Sequence, residues 1–114
     1  MAVVRVLVSI EPQMYREVLA FHLRRQRPQS EVVLASPQTL HDEAKRVSPH
    51  LIVANEVPPE LKEKGDVFWV EVRMADRLEA TISTNSHSNT IADVSLQDLL
   101  AAVDKAEEKL AHGS

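Results

Sequence analysis

Residues Val3 to Ser9 form one continuous β-branched and apolar run, the pattern of a strand buried on both faces. Glu11-Pro12 follows it as a helix-start signal, and a helix is expected to about Gln26, ending before Pro28. On that helix Met14, Val18, Leu19 and Leu23 group on one face with Phe21 beside them, and Arg16, Glu17, Arg24 and Arg25 turn mostly outward. Glu31 to Ala35 reads as a second, short strand. Ser36-Pro37 opens another helix, in which Leu40, Ala44 and Val47 have helical spacing and which Ser48-Pro49 ends. Leu51-Ile52-Val53-Ala54 is a third buried strand, stopped by the polar pair Asn55-Glu56 and flanked by Pro49 and Pro58. Pro58 to Lys62 predicts a short helical turn closed by Gly65, and Val67 to Val72 predicts a fourth strand carrying Phe68 and Trp69.

Strands alternating with helices over short links imply a parallel, doubly wound sheet in one domain. The alternation then breaks. Arg73 to Glu79 is too short for a crossover helix. Ala80–Asn85 and Thr90–Val94 are rich in Thr, Ser and Ile, with the turn-like Ser86-His87-Ser88-Asn89 between them. A β-hairpin is expected where the regular fold would put its fourth helix, with an antiparallel strand at the sheet edge. Ser95-Leu96-Gln97-Asp98 resembles a capping box with Asp in place of Glu or Gln. Leu96, Leu99, Leu100, Val103, Ala106 and Leu110 then give a long amphipathic helix. The domain spans residues 1–111, and 112–114 form a frayed tail.

Composition narrows the chemistry. The chain of 114 residues is 44% apolar and 26% charged, as in ordinary globular proteins. Two glycines leave no room for a glycine-rich phosphate cradle, and the absence of cysteine excludes disulfides, thiol nucleophiles and cysteine-held metals. No apolar run reaches the roughly 20 residues of a membrane span, and the first residues lack a signal-peptide layout. A cytoplasmic location without membrane contact is therefore expected. The net charge of −4 argues against nucleic acid, although residues 1–30 carry an excess of three positive charges, concentrated in Arg24-Arg25-Gln26-Arg27.

Catalytic constellations are sparse. The five histidines match no zinc spacing, and neither a metal nor a cofactor is implied. Ser9 stands between a strand and a helix, as a nucleophile elbow would, but Val8 and Ile10 replace the glycines that such a turn needs. In open α/β sheets the chemistry sits outside the carboxyl ends of the strands, which directs attention to Glu11, Asn55 and Glu71. Glu11 and Glu56 could converge there on a cation, though a solvated glutamate pair is the commoner arrangement.

Two segments carry a family resemblance. Arg5 to Leu19 resembles the opening of the receiver domain of bacterial two-component response regulators, in which a strand ends in two acids before the first helix. Pro49 to Pro58 resembles the family's third strand, Pro-Asp-(apolar)4-Asp-x-x-Met-Pro, shortened by one residue. The resemblance implies a flavodoxin-like sheet of about five strands. It also implies a pocket in which an Asp is phosphorylated, two acids hold Mg²⁺, and a Thr or Ser and a Lys bind the phosphoryl group. In this chain the phosphoacceptor position is Asn55, the first acid is Ile10, the second is Glu11, and the Thr/Ser position falls near Glu71. No lysine lies between Arg77 and Lys105.

The expectation is therefore a degenerate, stand-alone pseudo-receiver. It is not an enzyme, and it acts by contact with a protein partner, a homodimer included. The final helix (Leu96, Leu99, Leu100, Val103) and the basic cluster (Arg24, Arg25, Arg27) are its candidate interface. The alternative expectation is a small-molecule or nucleotide sensor at the strand ends, and an enzyme using Glu11 and Glu71 is the least supported.

Overall fold

The computed structural model of the protein describes residues 3–63, 67–74, 78–84 and 87–112. The order is β1 (Arg5–Ser9), α1 (Gln13–Gln26), β2 (Glu31–Leu34), a 3-10 turn (Pro37–Thr39), α2 (Leu40–Val47), β3 (Leu51–Ala54), α3 (Pro59–Lys62), β4 (Phe68–Met74), β5 (Leu78–Thr84), β6 (His87–Ala92) and α4 (Leu96–His112). The strands form a single mixed sheet in the order β2-β1-β3-β4-β5-β6. The first three pairings across it are parallel, and β4–β5 and β5–β6 are antiparallel.

Alternation along each strand divides the core in two. Val6 and Val8 of β1, Leu51 and Val53 of β3, and Phe68 and Val70 of β4 face α1 and α4. Leu7, Ile52 and Ala54 face the other way, against Leu40 and Ala44 of α2 and Leu61 of α3. Strands with helices on both faces cannot alternate polar and apolar, which is why Val6 to Val8 and Leu51 to Ala54 read as unbroken apolar runs. Trp69 points to the α3 side, half-buried, with the Lys62 ammonium 4.6 Å from its ring centroid.

Arg5 ties the start of β1 to the end of α2. Its Nε donates to the Val47 carbonyl at 2.9 Å, and its Nη2 donates to the Ser48 carbonyl at 3.0 Å. A cation on the last carbonyls of a helix satisfies acceptors that have no partner within the helix. Ser48 takes the left-handed conformation (φ 52°) that stops α2. At the start of α4 the expected box forms reciprocally: Asp98 Oδ2 accepts the Ser95 N–H at 2.8 Å, and Ser95 Oγ accepts the Asp98 N–H at 3.4 Å.

Three expectations change. The sheet has six strands rather than about five, because both arms of the hairpin join it. β4 runs on to Met74 rather than stopping at Val72, and β5 starts at Leu78 rather than Ala80, while the expected antiparallel pairing at this side of the sheet is present. Ser88 and Asn89, expected in a turn, lie in β6 opposite Ser83 and Ile82. An edge strand has one neighbour and one wet side, so turn-favouring polar residues are tolerated there, and they blunt the edge against further pairing. Of the turn and tail residues, Gly65, Ser86, Gly113 and Ser114 lie outside the described residues. Among the described residues no helix is long and apolar enough to cross a membrane.

Candidate functional site

β1 and β3 end side by side at Ser9 and Ala54, level with Glu71 in the middle of β4, and the next residues meet beyond them against Val72. Asn55 holds this meeting point together. Its Oδ1 accepts the Glu11 N–H at 2.5 Å, and its Nδ2 donates to the Val72 carbonyl at 3.1 Å. One amide thus ties the exit of β1 to β4, through a residue placed at the exit of β3. The bond to Val72 needs a donor, which a carboxylate lacks.

Ile10 is buried next to this amide, facing the α1 and α4 side. A groove of about 310 Å³ opens there between α1 and α4. Ile10, Leu19, Val72, Val94, Leu96 and Leu99 form its apolar wall, with Glu11, Tyr15, His22 and Asn55 also lining it. Among the described residues no lysine or arginine lines it. Volume and lining are those of a small apolar site, at the low end of the range for ligand pockets.

Glu71 is not part of this groove. It pairs in register with Ala54, whose side chain faces α2 and α3, and its partners lie on that side. Its Oε2 accepts the Val57 N–H at 2.9 Å and stands 3.0 Å from Lys62 Nζ, with Arg73 Nη1 at 3.9 Å from Oε1. Burial pushes the carboxyl pKa up, but the Val57 N–H, the Lys62 ammonium and Arg73 outweigh it and hold the pKa below its ordinary value. Of the four residues expected at one pocket, Ile10, Glu11 and Asn55 meet, and Glu71 stands across the sheet. The reason is the alternation of β4, which sends Val72 to the groove and Glu71 away from it.

Ser9 is buried to 1% exposure, and its Oγ has no hydrogen-bond partner among the described residues. A hydroxyl so placed cannot meet a substrate as a nucleophile. Glu11 and Glu56 are both exposed, and among the described residues no three His, Asp or Glu side chains are grouped to hold a metal ion.

The expected interface residues divide. Leu99, Leu100 and Val103 are buried in the core of this chain, and Leu96 is partly buried against it, so the apolar side of α4 is core and not free surface. Arg27 forms a two-pronged ion pair with Asp104 of α4, Nε to Oδ1 at 2.7 Å and Nη2 to Oδ2 at 2.9 Å. Arg24 Nη2 donates to the Val32 carbonyl at 2.9 Å. Arg25 alone of the cluster is exposed without an ion pair or hydrogen bond among the described residues.

The free apolar surface lies elsewhere, on α1. Met14 is 65% exposed, Phe21 56%, Val18 49% and Tyr15 45%, while Leu19, Ala20 and Leu23 face the sheet. The expected single apolar face of this helix is in fact two. A count shows the signal that separates them: an outer set at 14, 18 and 21 accompanies an inner set at 19, 20 and 23, and one stripe of a helix cannot hold both.

No family model, curated protein or solved structure matches the chain.

Proposed function

We propose that the protein is a receiver-like regulatory module of the bacterial cytoplasm that does not carry out phosphotransfer and works through contact with a protein. The observation that carries this reading is Asn55. An amide stands at the end of β3, where a receiver carries its phosphorylated Asp, and both ends of that amide are engaged in joining strands. The parallel order β2-β1-β3-β4, with helices on both faces, supports a flavodoxin-like scaffold. Buried Ile10 in place of a cation-binding acid, and Glu71 directed to the far face, support the loss of Mg²⁺ and phosphoryl binding. Free apolar side chains on α1 supply a surface for a partner.

The test is incubation with acetyl phosphate and Mg²⁺ followed by intact mass. The expected mass is unchanged, and a stable phosphoryl adduct on this chain would overturn the reading.

One observation favours a second reading. The groove between α1 and α4 is large enough for a small ligand, and its apolar wall, with no Lys or Arg among the described residues, suits an uncharged apolar molecule better than a nucleotide. A thermal-shift screen distinguishes it: a rise in midpoint that disappears in Leu99→Gln would favour a ligand-binding sensor.

A further inference from the structure

Helices α1 and α4 are tied together at one end of the groove that separates them. Arg27, just past α1, makes its two-pronged pair with Asp104, and Gln29 Nε2 donates to Glu107 Oε2 at 3.3 Å. The groove takes up the stretch before these contacts. Tyr15, Val18, Leu19 and His22 line it from α1, and Leu96 and Leu99 line it from α4. Each of these positions precedes the ion pair along its own helix. The other end of the groove reaches the strand exits, at Ile10, Glu11 and Asn55.

Its length and walls suit an apolar body. From Tyr15 to His22 the α1 wall spans about 10 Å at the helical rise, the length of a chain of roughly eight carbons. Ile10, Leu19, Val72, Val94 and Leu99 are all held in the core of the chain, so the walls are set before any ligand arrives.

The strand end of the groove supplies a single free polar group among its three polar residues. Asn55 is engaged at both ends of its amide. The Ser95 N–H and Oγ are both engaged with Asp98. The Glu11 carboxylate is exposed, with no ion pair or hydrogen bond among the described residues. A carboxylate accepts hydrogen bonds and donates none, so the ligand must bring the donor. An anionic head would meet a like charge. An ammonium would give up its hydration for one exposed carboxylate, a pairing worth little. A hydroxyl is cheaper to desolvate and donates once.

We propose that the groove binds an uncharged alcohol, its apolar body along the α1 wall and its hydroxyl donating to the Glu11 carboxylate. The proposal rests on the ligand-sensor reading above and names the ligand class of that site. Asn55 lines the same groove, so the joint between the strands lies against the bound molecule.

Amide NMR titrations of the full chain with n-octanol, octanoate and octylamine, near pH 7.5, test it. Octanol should give saturable shifts at Leu19, Val72 and Leu99, and octanoate and octylamine should bind about tenfold more weakly. Glu11→Ala should weaken octanol about fivefold, and Glu11→Gln, which keeps an acceptor, should stay near the wild type. Val18→Gln puts an amide on a half-exposed wall position and should weaken octanol about tenfold without loss of fold. Phe21→Ala alters the exposed side of α1 outside the groove lining and should change nothing. Octanoate or octylamine binding as tightly as octanol, or octanol binding that ignores Glu11→Ala, would overturn the hydroxyl assignment and leave the sensor reading standing. Octanol binding lost in Phe21→Ala but kept in Val18→Gln would place the probe outside the groove and overturn the proposal. Saturable shifts with none of the three would overturn the sensor reading as well.

Discussion

Asn55 and Val72 are joined by a hydrogen bond that only a donor at position 55 can make: Nδ2 gives its proton to the Val72 carbonyl at 3.1 Å. Asn55→Asp keeps an acceptor for the Glu11 N–H but sets a carboxylate oxygen against that carbonyl. The substitution should cost about 1–3 kcal/mol of stability in urea unfolding. On the proposed receiver-like reading, an acid at position 55 should still leave the chain unphosphorylated by acetyl phosphate, because Ile10 supplies no oxygen for the metal. The amide is thus a structural joint between the exits of β1 and β3 and the middle of β4.

Glu71 should matter to stability rather than to the groove. Glu71→Ala removes the acceptor of the Val57 N–H and the partner of Lys62, at a cost of about 1–3 kcal/mol. Glu71→Gln keeps an oxygen for Val57 and should cost less. Because the folded carboxyl pKa lies below its ordinary value of 4.5, its stabilisation is present above that pH and is lost as pH falls through the folded value. Urea midpoints between pH 3 and 7 should therefore fall less steeply for Glu71→Gln than for the wild type.

His50 gives a second pH dependence. Its Nδ1 accepts the Arg5 N–H at 2.9 Å, which requires an unprotonated nitrogen. Burial, and then the charge of Arg5, lower its pKa from the ordinary 6.5. A lowered histidine pKa means that the unfolded chain takes up the proton first, so stability is intact above about pH 6.5 and declines as pH falls below it, until the folded form also titrates. His50→Asn can present an oxygen in place of Nδ1 without titrating. Its urea midpoint should change less than the wild type's between pH 7.5 and 5.5.

Ser9 makes the opposite prediction. Its hydroxyl is buried and unpaired, so Ser9→Ala should leave stability unchanged or raise it by up to about 1 kcal/mol. A loss larger than that in thermal unfolding would mean that the hydroxyl has a partner after all.

Much of the fold is legible because burial leaves a plain trace. Val6 to Val8 and Leu51 to Ala54 are covered on both faces, and nothing polar interrupts them. Ser95 and Asp98 announce the start of α4 by chemistry alone. The groove is less legible, because it depends on which way each residue of β4 points. Position 71 stands level with the end of β3 but points to the α2 and α3 side of the sheet, away from the groove. The two faces of α1 are the least legible, since Met14, Val18 and Phe21 are as apolar as Leu19 and Leu23. Only the packing decides which set faces the sheet. The start of β5 is legible too: Leu78-Glu79-Ala80-Thr81-Ile82 alternates with period two from its first residue.

In the proposed reading the strand ends are closed to phosphoryl chemistry, and Asn55 is a joint between strands. Amide NMR of the ¹⁵N-labelled chain, titrated with beryllofluoride and Mg²⁺ as a phosphoryl mimic, tests this at the residues concerned. Glu11, Asn55 and Glu56 should keep their shifts throughout. Saturable shifts at Asn55 and Glu11 would mean that the strand ends bind a phosphoryl group and would overturn the reading.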